Sequence, residues 1–259
     1  MSTTTVQDVL KRLAGVSLAL ALMACAGGSA RQQASTGEAE LQRAAQSLFQ
    51  VPGNGRWEVF HFPGKVVAPF EPVSRQGRAA LRVQAERSVS VLRQRFEPGL
   101  PAVGVLNFSW KVDALPDGAD LKDAAATDAP VRILLAFEGD RTRWSPRAHR
   151  LSELSRLLSG EPMPYATLTY VWSRDDALEA VLNNPRTDRI RKLVVDSGSA
   201  QLGQWRDHQR DVRADFIRAF GEEPGPLVSV ALMTDTDNTA TALRAWYGPL
   251  SLVAPSNAP

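Results

Sequence analysis

From Trp57 onward, apolar and polar residues alternate or gather into short apolar runs, and Pro, Gly and Asp break the runs apart. A period of two belongs to strands, because successive side chains in extended backbone point to opposite faces. The pattern predicts strands over residues 57–62, 79–85 with a continuation through 89–94, 103–112, 131–137, 166–172, 190–196, 227–234 and 242–253. Turn chemistry separates several of them, as in Phe62-Pro63-Gly64-Lys65, Leu115-Pro116-Asp117-Gly118 and Glu138-Gly139-Asp140. Two segments switch to helical spacing. Residues 147–158 carry Leu151, Leu154, Leu157 and Leu158 on one side before Gly160, and residues 211–220 place Val212, Phe216 and Phe220 four apart before Gly221. The strands do not alternate with helices as a doubly wound parallel sheet requires. The expected fold is therefore mainly β: an antiparallel β-sandwich of jelly-roll, galactose-binding-like type with two helical insertions. No internal repeat and no boundary within the body are visible, so residues 51–259 are expected to form one sandwich domain.

The N-terminus follows a different rule. Lys11-Arg12 precede a twelve-residue apolar run, Leu13 to Ala24, which is too short to span a bilayer as a helix and has the form of a signal peptide over residues 1–24. The chain's one cysteine, Cys25, follows directly after Leu22-Met23-Ala24. This arrangement resembles the bacterial lipobox, which implies lipidation of Cys25, a membrane partner through the lipid anchor, and an outer-membrane lipoprotein in the cell envelope, facing the periplasm or the surface. Residues 25–50 are small, polar and mostly without aromatics, and read as a tether with a short helix near 38–49.

Composition narrows the function classes. With 259 residues, 44% hydrophobic and 22% charged, the chain has an ordinary globular balance, which excludes a disordered or disulfide-stapled protein. Thirty basic and 28 acidic side chains are interspersed, so there is no concentrated basic face for phosphates and a nucleic-acid partner is not expected.

Several blocks occur together in a fixed order: Trp110-Lys111-Val112-Asp113, Glu161-Pro162-Met163-Pro164-Tyr165, Asn184-Pro185-Arg186-Thr187-Asp188, Phe220-Gly221-Glu222-Glu223-Pro224 and Met233-Thr234-Asp235-Thr236-Asp237-Asn238-Thr239. Their order resembles the bacterial family catalogued as domain of unknown function 3047, over about Trp57 to Leu252. The resemblance implies no established activity. It departs at one place: where the family tends to show an acidic pair before the strand at Val131, this chain has Thr127-Asp128. The layout of a tryptophan-bearing strand, a polar loop and a last strand after an Asp-rich turn also resembles galactose-binding-like sandwiches among carbohydrate-binding modules.

The most pointed chemistry is Asp235, Asp237 and Asn238 directly after an apolar strand, since carboxylates and an amide are hard oxygen ligands of the kind calcium takes. The spacing is not that of an EF-hand, and an Asx turn between two strands is the competing reading. Trp144 and Trp205 stand in polar surroundings and are the candidates for exposed, sugar-stacking positions, with Arg186 and Asp128 as polar partners. Trp110 and Trp172 lie in apolar runs and are expected to pack. His61, His149 and His208 have no second ligand at zinc spacing, and no nucleophile elbow or phosphate loop is present. The expected function is non-enzymatic binding of a carbohydrate or other polar envelope ligand. The alternatives are a glycan hydrolase or lyase using a carboxylate pair among Asp113, Asp128, Glu138, Asp196 and Asp235, and an envelope assembly protein that binds another protein.

Overall fold

The computed structural model describes residues 36–53 and 55–253. The signal-like segment and Cys25 lie outside the described residues. The chain divides into two compact units, Met1–Arg43 and Ala44–Pro259. In the first, residues 36–43 are helical and belong to helix α1 (36–48). Among the described residues, no helix is long and apolar enough to cross a membrane.

The second unit is a two-sheet sandwich of jelly-roll type. One sheet has six strands: β11 (Arg206–Asp211), β6 (Val105–Val112), β13 (Ala242–Val253), β4 (Arg78–Glu86) and β3 (Phe70–Arg75) in spatial order, with β1 (Phe49–Gln50) paired parallel to Leu250–Ser251 of β13. The other has seven: β2 (Trp57–Phe60), β5 (Val89–Leu100), β12 (Leu227–Asp235), β7 (Ala129–Phe137), β8 (Ala166–Ser173), β10 (Ile190–Ser197) and β9 (Val181–Asn183). Pairing is antiparallel except between β8 and β10 and between β1 and β13. The inward residues of β6 alternate as Leu106, Phe108, Trp110 and Val112, all buried. They meet Tyr170 of β8, whose ring stacks on Phe108 at 5.7 Å. From β13, the Tyr247 hydroxyl crosses to Met233 O of β12 at 2.7 Å. Trp110 and Trp172 are fully buried, as their apolar context predicts.

Eight predicted strands or strand groups are present. β1, β3, β9 and β11 are additional, and β11 reads Arg-Asp-His-Gln-Arg-Asp, which carries no apolar signal at all. It forms because it is an edge strand whose alternate residues Arg206, His208 and Arg210 find carboxylates across the sandwich.

Both predicted helices form. Helix α2 (Pro146–Ser159) starts with the Ser145 side chain capping Ala148 N and Pro146 in the first turn, and stops at Gly160 in the left-handed region (φ 79°). Helix α3 (Val212–Phe220) is capped by Asp211 and sets Phe216 edge-on to Phe137 at 4.7 Å and stacked on Phe220 at 4.5 Å. The leucine stripe of α2 does not enter the core: Leu154, Leu157 and Leu158 are 50, 79 and 62% exposed, while Ala148 and Ser152 are the buried positions.

Candidate ligand-binding groove

In the middle of the β11–β6–β13 ribbon the outward residues are polar. Ser109 of β6 sits opposite Asp207 of β11, and Asn107 lies between Gln209 of β11 and Ser251 of β13. Asn107 accepts a hydrogen bond from Gln209 at 3.1 Å and its amide group reaches Ser251 Oγ at 3.4 Å. Over this floor lie two adjoining hollows, here called the lobes of one groove, that share Asn107 and Pro249. One, of about 580 Å³, is lined by Arg78, Asn107, Ser109, Asp207, Gln209 and Pro249 among others. The second, of about 360 Å³, shares Asn107 and Pro249 and continues to Ser251, Gln50 and Ser47.

A bulge in β13 shapes the first lobe. Tyr247 pairs with Trp110 and Leu250 with Phe108, so Gly248 and Pro249 together face Ser109. Proline has no N–H to give to the ladder, and glycine is required beside it. A Cβ on Gly248 would lie 2.3 Å from Ser109 Oγ and 3.1 Å from the Trp205 ring, too close for either to remain in place. Ser109 is buried and its hydroxyl has no partner.

Trp205 stands next to Gly248, outside the residues that line the groove. Its indole N–H donates to Arg75 O at 3.2 Å, and the Arg78 guanidinium lies 4.8 Å over the ring while pairing with Asp207 at 2.6 Å. The ring is thereby fixed and remains half-buried.

The other sequence candidates fall elsewhere. Trp144 was expected to be exposed, and it is 6% exposed, stacked on Tyr165 at 6.2 Å with its N–H on Tyr165 O. The charges around it in sequence mislead because Arg141 folds over its ring at 4.9 Å. Arg186 is exposed and donates to Ala124 O. Asp128 is buried and accepts from Asn238 N at 3.3 Å and from Thr239 N and Oγ1, each at 2.7 Å, so it holds a turn. Neither Arg186 nor Asp128 lines the groove. Asp128, Asp235 and Asp237 do meet one another.

Behind the groove floor lies a polar knot that sequence reasoning missed. Asp196 of β10, buried, accepts from Trp110 Nε1 at 2.7 Å and Arg206 Nε at 3.0 Å, and lies 2.7 Å from His208 Nε2. Burial pushes its carboxyl up, but the bonds from His208, Trp110 and Arg206 outweigh this and hold it below the usual carboxylate range. A second knot ties Arg210 to Asp215 and Glu179, with Tyr170 donating to Asp215 at 2.9 Å. Only the interleaving of β11 with charged residues hinted at either.

Residues 55–251 match the protein family of unknown function DUF3047. The chain belongs to that family. No match was found among curated proteins. Among solved structures, the chain is similar to the endo-1,4-β-glucanase CelB2, with 11% identity, 80% of this chain and 95% of that chain covered, and a TM-score of 0.42. It is also similar to the xyloglucanase domain of NopAA from Sinorhizobium fredii (10% identity, 78% and 89% covered, TM-score 0.37). A third is the carbohydrate-binding module CBM28, specific for non-crystalline cellulose (11% identity, 71% and 79% covered, TM-score 0.32). These likenesses concern the layering of strands and assign no residue of the DUF3047 chain a role.

Proposed function

We propose that this DUF3047 protein is an envelope lipoprotein, anchored through Cys25, whose sandwich binds a hydroxyl-rich ligand of the carbohydrate class in the groove across β11, β6 and β13. The observation that carries this reading is the convergence in one groove of Asn107, Ser109, Asp207 and Gln209, with the Trp205 ring held by Arg78 next to Gly248 nearby. Sugar hydroxyls need donors and acceptors side by side, which amides and hydroxyls supply, and the C–H face of a pyranose needs an apolar plane. Glycine at 248 lets the bulge pack closely on Ser109 and Trp205.

The groove supports binding rather than hydrolysis. Of its lining residues Asp207 alone carries a carboxyl group, and that group is paired with Arg78. A glycosidase needs two carboxyl groups about 5–10 Å apart across the scissile bond.

The test is calorimetric titration with soluble neutral probes: cellohexaose, mannohexaose and xyloglucan. Binding to at least one, lost in Trp205→Ala and in Asn107→Ala, is the expected result. No binding to any of them, or binding indifferent to Trp205→Ala, overturns the reading. Incorporation of labelled palmitate, abolished by Cys25→Ser, tests the anchor separately.

A further inference from the structure

Helix α2 is turned with its apolar residues outward. Its inner side is made of small residues: Ala148 and Ser152 are buried, and Ser155 and Ser159 are half-buried. These serines bind backbone, since Ser152 Oγ accepts from Met163 N at 3.2 Å and Ser155 Oγ donates to Glu161 O at 3.0 Å. The helix is thus fastened to the body without its leucines. Leu154, Leu157 and Leu158 are all exposed, and three leucines together on one helix face mark an interaction surface rather than the scattered apolar residues of an ordinary exterior.

Residues three and four apart share one face of a helix. Arg147, Arg150, Leu154 and Leu157 follow that spacing, and Leu158 is four after Leu154, so two arginines on the first half of the face lead into three leucines on the second. Both arginines are exposed, and neither is in an ion pair among the described residues. The one acid of the helix, Glu153, stands at the edge of this face and is paired with Arg156 at 2.7 Å. The face therefore carries uncompensated positive charge beside its apolar surface.

Size and charge choose the occupant. The three leucines together expose less than two whole leucine side chains, far short of the about 800 Å² per partner of a stable protein interface. A helix lying in the headgroup region of a bilayer needs only such a stripe, with arginines whose long stems let the guanidinium reach phosphate. At 14 residues, about 21 Å, α2 is too short to cross a bilayer but long enough to lie along its surface. We propose that the outer face of α2 docks on an anionic lipid bilayer, Leu154, Leu157 and Leu158 entering the acyl boundary and Arg147 and Arg150 meeting headgroup phosphates. This contact is distinct from the groove and from anchoring at Cys25, and rests on neither. A helix held parallel to the bilayer fixes which side of the sandwich faces the membrane.

The test uses the full chain carrying Cys25→Ser, which cannot be lipidated, and vesicles of phosphatidylcholine alone or with about 30% phosphatidylglycerol. Cosedimentation with the mixed vesicles is expected. Combining Leu154→Ser, Leu157→Ser and Leu158→Ser weakens it at least about tenfold, and Arg147→Ser with Arg150→Ser weakens it about tenfold on the anionic vesicles only. All five positions are exposed, so the variants' melting points stay close to the parent's. Because Cys25 is the chain's one cysteine, Leu157→Cys in this background gives a single labelling site. A nitrobenzoxadiazole dye attached there should shift to the blue with anionic vesicles, which binding through the N-terminal apolar run alone would not cause. Absence of cosedimentation or of the blue shift overturns the proposal, as does binding unchanged in the leucine variant or indifferent to both the arginines and phosphatidylglycerol. Leucine-dependent self-association without vesicle binding overturns it too, in favour of a second copy of the chain as the occupant.

Discussion

Asp196 and Lys192 sit within four residues of each other on β10 and represent opposite solutions to burying a charge. Asp196 is surrounded by donors from Trp110, Arg206 and His208, so its ionised form is the stable one. Asp196→Ala takes the acceptor from buried Trp110, from His208 and from part-exposed Arg206, and is expected to cost about 3–5 kcal/mol at pH 7, read by urea titration. A carboxyl held below its unfolded value contributes stability that is present above about pH 3.9 and is lost as pH falls through the folded value. The difference between parent and variant therefore narrows below pH 3.9. Lys192, 3% exposed, has one carbonyl, Leu121 O, and faces Arg132 and Arg186. Burial first, and those two cations second, lower it to about 7. A lysine lowered in the folded state makes folding less favourable wherever it must be charged, so stability rises as pH climbs from about 7 towards 10.5. Lys192→Met should exceed the parent in stability at pH 6, and the gap should shrink by ~2 kcal/mol by pH 9, measured by chemical denaturation at both values.

Among the elements, β11 and α2 invert what their patterns announce. β11 has no apolar residue yet is tied down through Arg206, His208 and Arg210 to Asp196, Asp215 and Glu179, and it supplies Asp207 and Gln209 to the groove from its other face. Helix α2 has a leucine stripe yet leaves most of it in solvent, because its buried side is made of Ala148 and Ser152, the latter accepting from Met163 N. Leu157→Ser is accordingly expected to change stability by no more than about 0.5 kcal/mol, whereas Phe216→Ala, which empties a ring-packed site beside Phe137, should cost about 3–5 kcal/mol. Comparable losses in the two variants would show that the helix stripe is core after all.

At the scale of the molecule, the two sheets share one core: Tyr247 of the first bonds into β12 of the second, Phe108 stacks on Tyr170, and Trp110 bonds Asp196. Neither sheet can shed its partner without exposing that core. Unfolding of the sandwich should therefore be a single transition, with far-UV and near-UV circular dichroism superimposing along a urea titration. Two separated transitions would show that the sheets melt independently.

The pattern of apolar positions was enough to place the long strands, the two helices with their ends at Gly160 and Gly221, and hence the sandwich, because these are properties of a few consecutive residues meeting one apolar phase. The block order within 55–251 likewise identified the family from local sequence. The Asp-rich turn after β12 was legible as a pair of neighbouring carboxylates, but the third, Asp128, is 107 residues before Asp235 and joins it only through the β12–β7 pairing. The same holds for the groove. Asn107, Asp207 and Pro249 come from three strands remote in sequence and become neighbours by ladder register, with the bulge at Gly248 deciding which of them line an open space. Burial of Trp144 and exposure of the α2 leucines also belong to tertiary structure, since whether a side chain meets solvent depends on what packs over it, such as Arg141 over Trp144. Periodicity is set by covalent geometry and is carried in the sequence; juxtaposition and cover are set by pairing and packing, and only the fold supplies them.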